Sequence, residues 1–590
     1  MKRRAGRGGS IVLVLLLSLV PGLTGSTRAE SDGPFVPLSE ITPGMICTGY
    51  SCFSGTDLET LTVEILGIIQ SGTPEDSVII GKVDSPSVRR GGIMSGMSGS
   101  PVYYNGRLVG AMATAYPYAT EPICGITPVD AMTRLWDLEK APGRQGFRPP
   151  RRDLLPFADP VEGMPAGLKP IGLTAGVHGM PFRDITDVLL KSTGISTTGH
   201  SGIMTDDRPG ELKPGSPVGV GLITGDMQLV AFGTVTHVDG NRILAFGHGS
   251  FGLGKCALPL VSSSVVSFVP NQVVSFKLTN AGQPIGTLTF DAPSGVTGVL
   301  GQTAPTIPVD ITIRGLSQEP VVYHIRAADH EFLSTPFIAQ AAAGAVQRLG
   351  VTWGDMSIQS ELKIRTREAG TVTRRDMIGS IDSIWSAVRE SFDLLEKIHQ
   401  NPLQKITIEH VDYQCSLAQE SRIMTLDSIA VKPRKYHPGE TMEITLSFHG
   451  DRIDAMDRKV TLSIPENTPP GQYHLHVLDP ADYRLVRAIH ELPAHRHRSL
   501  EAYFNMLQDR LAGNQVMVAL ADTATDIRSG NRILPDVPPL LEHVYGMPGT
   551  GIQTARSLRF LVSSIVTLDH QVIGSHKVPV TLGVATESEP

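Results

Sequence analysis

The stretch GGIMSGMSGSPVYYNGRLVGAMATA, residues 91–115, decides how the rest of the chain is read. It places Ser98 inside Gly96-Met97-Ser98-Gly99-Ser100-Pro101 and then runs into a hairpin closed at Asn105-Gly106, a pair suited to the positive φ angles of a type I′ turn. A hydroxyl that attacks a carbonyl needs a sharp turn, small neighbours that let the substrate approach, and backbone N–H groups turned toward the developing oxyanion. The motif meets that demand with Ser98 as nucleophile and the N–H groups of Gly96 and Ser98 as oxyanion donors. A serine in a glycine-rich bend is by itself an ordinary turn residue. The proline and the hairpin that follow favour the nucleophile.

Outward from this stretch, residues 58–135 read as β-structure, with LTVEILGIIQ and SVIIGKV rich in branched residues between turns. Residues 141–170, APGRQGFRPPRRDLLPFADPVEGMPAGLKP, read as a linker or irregular excursion. A second β-rich block spans about 215–330 and contains GVGLITGDMQLVAFGTVTHVDGNRILAFGHG, where Gly225-Asp226 and Asp239-Gly240 read as hairpin turns. Helical periodicity comes later, at FIAQAAAGAVQRLG and IDSIWSAVRESFDLLEKIHQNP, the latter ending at Asn401-Pro402. From about 405, ETMEITLSFHG and KVTLSIPENTPPGQYHLHVLD alternate apolar and polar residues as the strands of an immunoglobulin-like β-sandwich do.

The segment GMSGSPVYYNGRLVGA resembles the nucleophile turn and hairpin of chymotrypsin-like serine peptidases, and more closely those of the SpoIVB-type sporulation serine peptidases. That family has a Gly-Met-Ser-Gly-Ser-Pro motif, then a Gly-Ala-containing strand and a loop returning to a Gly-Ile or Gly-Val segment; this chain has GRLVGAMATAYPYATEPICGITPVDAM in that place. The family's histidine lies in Ala-Leu-Gly-His-Gly at a strand end. The matching ILAFGHG puts His248 in the role of general base. The family's third member is an aspartate some fifteen residues before the serine, and Asp84, in KVDSPSVRRGGIMSGMS, stands fourteen before Ser98.

In that family the histidine block follows a PDZ domain and precedes the serine block. Here the serine comes first, with no histidine before it, so the resemblance implies a permuted pair of β-barrel halves over roughly residues 40–135 and 215–305. Triads do recur in different chain orders, because geometry makes the site. Read without the resemblance, His248 is equally a structural histidine at a glycine-rich strand end, and Asp84-Ser-Pro an ordinary turn initiator. His237 reads as a strand surface residue.

With 590 residues, two to four domains are expected. Lys2, Arg3, Arg4 and Arg7, followed by IVLVLLLSLV, have the form of a secretory signal peptide cleaved near Ala29, the apolar run being short for a bilayer. Loss of residues 1–29 removes five basic groups and takes the formal charge from −7 to about −12, which suits no nucleic-acid partner. Five cysteines are too few for a disulfide scaffold, although Cys47 and Cys52 are spaced to close a small loop in an oxidising compartment. His474 and His476 share a strand face without an evident third ligand, and His495 and His497 read as an exposed basic patch. No cofactor or metal is expected, and no nucleotide-binding glycine motif is present.

The expected plan is mainly β: a leader at 1–29, a serine-bearing half-barrel at 30–140, a linker at 141–214, a histidine-bearing half-barrel at 215–335, a helical connector at 336–404 and a sandwich at 405–590. The expected function is a secreted or periplasmic serine endopeptidase making limited, regulatory cuts in a specific protein, with Ser98, His248 and Asp84 as its triad. The alternative is a catalytically inactive envelope protein that keeps the fold and docks a partner through the sandwich. Self-cleavage in the Pro-rich stretch at 141–170 is a third possibility.

Overall fold

The computed structural model describes residues 33–70, 72–140, 168–180, 195–200, 211–315, 319–348, 355–380, 384–490, 499–529, 532–534, 537–538, 540–541 and 552–584. The expected leader, most of the Pro-rich stretch, and His495 and His497 lie outside them.

Strands β1 (Ile46–Ser54), β2 (Asp57–Ile69), β3 (Val78–Asp84), β4 (Pro101–Tyr104), β5 (Arg107–Ala115) and β6 (Ile123–Pro128) pair in the order β4-β1-β2-β3-β6-β5. A further β4–β5 pairing closes them into a barrel, and a short seventh strand, β7 (Lys169–Pro170), pairs with the end of β5. The period of two is visible in β2, where Leu61, Val63 and Ile65 are buried while Thr60, Thr62 and Glu64 face outward. The β4–β5 hairpin turns at Asn105 (φ 49°) and Gly106 (φ 78°), with Tyr104 opposite Arg107, as the Asn-Gly pair predicts. Cys47 and Cys52 are both buried free thiols. Their odd spacing along one strand turns them to opposite faces, so the loop-closing disulfide expected between them does not form.

The second sheet has thirteen strands. In chain order they are β8 (Leu173–His178), β9 (Ile195–His200), β10 (Pro217–Gly225), β11 (Gln228–Asp239), β12 (Arg242–Ala245), β13 (Gly254–Val269), β14 (Phe276–Ala292), β15 (Gly295–Leu300), β16 (Thr306–Arg314), β17 (Val321–Ala328), β18 (Ser357–Thr366), β19 (Gly370–Ile378) and β20 (Ile408–Ala418). They pair as β19-β18-β20-β16-β17-β10-β13-β14-β15-β12-β11-β8-β9, and β10 also pairs with β11. Asp239 pairs with Arg242, so the β11–β12 turn falls on Gly240-Asn241, one residue later than expected.

Helices Ser334–Gln347 and Ile384–His399 pack together against this sheet, joined by the β18–β19 hairpin, so the expected helical connector carries two strands. Strand β20, expected in the sandwich, pairs instead with β16 and β18. Alternation identifies such segments as strands but does not say which sheet receives them. Beyond them, a four-stranded and a five-stranded sheet face each other across one core that includes Ile444 and Phe448 from one and Leu475 and Val518 from the other. That is the expected sandwich. Among the described residues, no helix is long and apolar enough to cross a membrane.

Candidate active site

The turn carrying Ser98 leaves the barrel and is stitched to β11 of the second sheet. Thr234 N–H donates to the Ser98 carbonyl (2.8 Å), Thr234 Oγ1 to the Gly96 carbonyl (2.9 Å) and Thr236 Oγ1 to the Gly99 carbonyl (2.8 Å). Gly96 (φ 91°) and Gly99 (φ 94°) supply the left-handed backbone on either side of the serine. At Gly99 a Cβ would lie 2.0 Å from the Thr234 carbonyl oxygen, so only glycine fits between the two units. The Thr-Val-Thr run that holds the turn puts both hydroxyls on one strand face. That spacing is the one signal in the sequence that could have singled it out.

His248 arrives from the other side, on the loop after β12. Phe246 (φ 70°) and Gly247 (φ 69°) both adopt positive φ, a conformation of order 1–3 kcal/mol unfavourable for a bulky residue such as Phe246. That bend aims the Phe246 carbonyl and the imidazole at the serine. Ser98 Oγ lies 2.5 Å from His248 Nε2 and donates to the Phe246 carbonyl at 2.6 Å, although the two residues stand 150 apart in the chain. Both are buried. The structure thus brings the expected nucleophile and base within hydrogen-bond reach.

Asp84 is not brought to them. Its carboxylate grips Arg89 Nε (2.7 Å) and Nη2 (2.5 Å) at the exposed end of β3, and that pairing holds it below the usual carboxylate range. His248 Nδ1 faces the Gly249 carbonyl at 2.6 Å instead. The carboxylate that acts on His248 electrostatically is Asp291, buried at the end of β14. Its Oδ1 accepts from Ser250 N–H (2.8 Å) and its Oδ2 from Phe251 N–H (2.7 Å) and Ser250 Oγ (3.1 Å), pinning the loop just after the histidine. Burial pushes the Asp291 carboxyl up, and those donors oppose the push. Burial likewise holds His248 below its ordinary value, opposed by the Gly249 and Ile171 carbonyls and by Asp291.

The Ser98 N–H donates to no acceptor among the described residues, while the Gly96 N–H, the other expected oxyanion donor, donates to the Gly172 carbonyl at 2.9 Å. Behind the turn lies Lys277, fully buried, its stem against Gly96 and its Nζ donating to Ser51 Oγ (2.9 Å), which also accepts from Ser100 Oγ (2.9 Å). Burial pushes this lysine down to about 8, against the pull of Cys52 and Glu59.

A hydroxyl on an imidazole, flanked by a backbone donor on a strained turn, is the apparatus of acyl transfer. Residues 38–126 match the family model of the SpoIVB peptidase S55. The chain carries a SpoIVB-type serine peptidase domain. The match includes Ser98 and ends well before His248, so the expected nucleophile lies within the SpoIVB-type segment and the expected base outside it, on the loop after β12. No curated protein and no solved structure matches the chain.

His237, expected on a strand surface, is half-buried between Phe35 (ring centroids 5.4 Å apart) and Trp136 (6.2 Å). His474 and His476 have ring centroids 6.1 Å apart, and no group of three or more potential metal ligands gathers among the described residues.

Proposed function

We propose that this protein is a serine endopeptidase that acts outside the cytoplasm, making limited cuts in specific proteins. The observation that carries the reading is the 2.5 Å approach of Ser98 Oγ to His248 Nε2 across the junction of two β units. In the reaction, Nε2 removes the hydroxyl proton as Oγ attacks the scissile carbonyl. The oxyanion is held by the Ser98 N–H and, once freed, the Gly96 N–H. The imidazolium then returns its proton to the leaving amine, and water releases the acyl group by the same steps in reverse order. In the reacting tautomer Nδ1 carries the proton and donates to the Gly249 carbonyl, which orients the ring and leaves Nε2 as the base, with Asp291 holding that loop in place. The basic and apolar N-terminal stretch supports action outside the cytoplasm, and the buried site supports a narrow substrate range rather than digestion.

One observation favours a second reading, a non-catalytic envelope protein: a carbonyl rather than a carboxylate stands on Nδ1. Incubation of the purified chain with unstructured polypeptides, with product ends mapped by mass spectrometry, separates the two. The peptidase gives discrete cuts that fall by at least about 10³-fold in Ser98→Ala and in His248→Ala. Cuts that persist in both variants would come from a contaminant and sink the reading.

A further inference from the structure

Three groups on which the chemistry depends are occupied in this structure, two of them by one short segment. The Ile171 carbonyl lies 2.8 Å from His248 Nε2, the nitrogen that must receive the Ser98 proton. The next carbonyl, that of Gly172, accepts the Gly96 N–H at 2.9 Å, where an oxyanion donor is wanted. The Ser98 hydroxyl proton, meanwhile, points at the Phe246 carbonyl. A carbonyl can only accept, so the contact with Ile171 is satisfied when Nε2 carries a proton, and a protonated Nε2 cannot act as the base.

The same segment is held as a strand. Strand β7 adds to β5 beyond the residues that pair with β4, in an antiparallel register, with Pro170 opposite Thr114 and Lys169 opposite Ala115. The Ile171 N–H then donates to the Ala113 carbonyl at 2.7 Å. Lys169 and Pro170 are exposed, and the attachment depends on two buried side chains, Leu168 and Ile171, the latter packed into the barrel core. With two ladder pairs and two buried anchors, this element can open without unfolding the barrel it rests on. Its outer side forms one wall of an open cleft of about 570 Å³ between the loop 116–122 and the loop 271–275. Tyr118 and Val273, 77% and 61% exposed, stand among the cleft-lining residues.

We propose that residues 168–172 are a resident strand that holds the Ser98–His248 site shut, and that the site turns over only when an extended polypeptide entering by this cleft takes their place on β5. The inference rests on the peptidase reading above. Opening the strand frees Nε2, frees the Gly96 N–H, and exposes the backbone of residues 113–115 for pairing with the incoming chain. Rest and activity thus differ by a local exchange of strands, with no change in the pairing of Ser98 and His248.

The test is the rate at which a fluorophosphonate probe labels Ser98 in the full chain, compared among wild type, Ile171→Ala, Leu168→Ala and, as a control that loosens the same core away from the strand, Val63→Ala. The proposal expects Ile171→Ala and Leu168→Ala each to label about tenfold faster or more, with Val63→Ala close to wild type. Either anchor variant suffices if the other does not fold by circular dichroism. Equal labelling of Ser98 in wild type and anchor variants would overturn the resident strand and leave the peptidase standing. Acceleration in Val63→Ala as well would overturn it too, since general loosening would then be the cause. No labelling of Ser98 in any folded variant would remove the peptidase reading and this inference together.

Discussion

At the scale of the residue, the site divides into groups that do chemistry and groups that hold them. Ser98 and His248 were legible because each carries its own local motif, a glycine-flanked turn and a Phe-Gly-His-Gly bend whose backbone no ordinary strand adopts. Asp84 was not, because spacing along the chain says nothing about which way β3 points its last side chain; that carboxylate ends at Arg89. Asp291 was equally hidden, since its work is done through backbone N–H groups and leaves no motif. The consequence is measurable. Asp84→Asn should leave the turnover rate within about twofold, because an exposed ion pair contributes little. Asp291→Asn places an amide donor against N–H donors, lets the histidine loop drift, and should lower kcat by about 10- to 100-fold at similar KM. Steady-state kinetics on the two variants checks both. The pH profile follows from burial. Only the neutral imidazole accepts the serine proton, and desolvation disfavours the charged ring, so the acid limb of kcat/KM should have its midpoint below pH 6.5. A midpoint at or above that value would mean that a carboxylate dominates the histidine's surroundings.

At the scale of the element, the junction between barrel and second sheet is built from backbone, which leaves it little tolerance. Alternation in β2 and the Asn105-Gly106 turn made the barrel readable from sequence. Strand β7 was not readable, since Lys169-Pro170 has no alternation and closes a Pro-rich stretch; only its pairing with β5 makes it a strand. Gly99 shows how tight the junction is. A methyl group there meets the Thr234 carbonyl oxygen at 2.0 Å and the Phe246 nitrogen at 2.5 Å, at a φ of +94° that disfavours any side chain. Gly99→Ala should therefore cost more than about 2 kcal/mol of stability, read as a lowered Tm in thermal unfolding followed by circular dichroism. An unchanged Tm would show that the Ser98 turn is not clamped against β11.

At the scale of the whole molecule, the β-rich character, the helical pair and the sandwich were all present in the pattern of apolar residues. The membership of the large sheet was not, because β18, β19 and β20 reach it through long-range pairing that periodicity does not encode. The sandwich meets the central unit through Arg510, which pairs with Glu390 (2.7 Å), and through Gly513, whose N–H donates to Asp376 (2.8 Å). The serine lies in the span that matches the SpoIVB-type peptidases and the proposed base, His248, lies outside it, so the pair forms only in the assembled chain. Fluorophosphonate labelling of the intact protein, with the modified peptide identified by mass spectrometry, tests that most directly. The account predicts label on Ser98 in wild type, taken up slowly while the resident strand stays in place, and its loss in His248→Ala with the fold retained. Label that falls on another residue, or that persists on Ser98 without His248, would contradict a nucleophile activated across the two units.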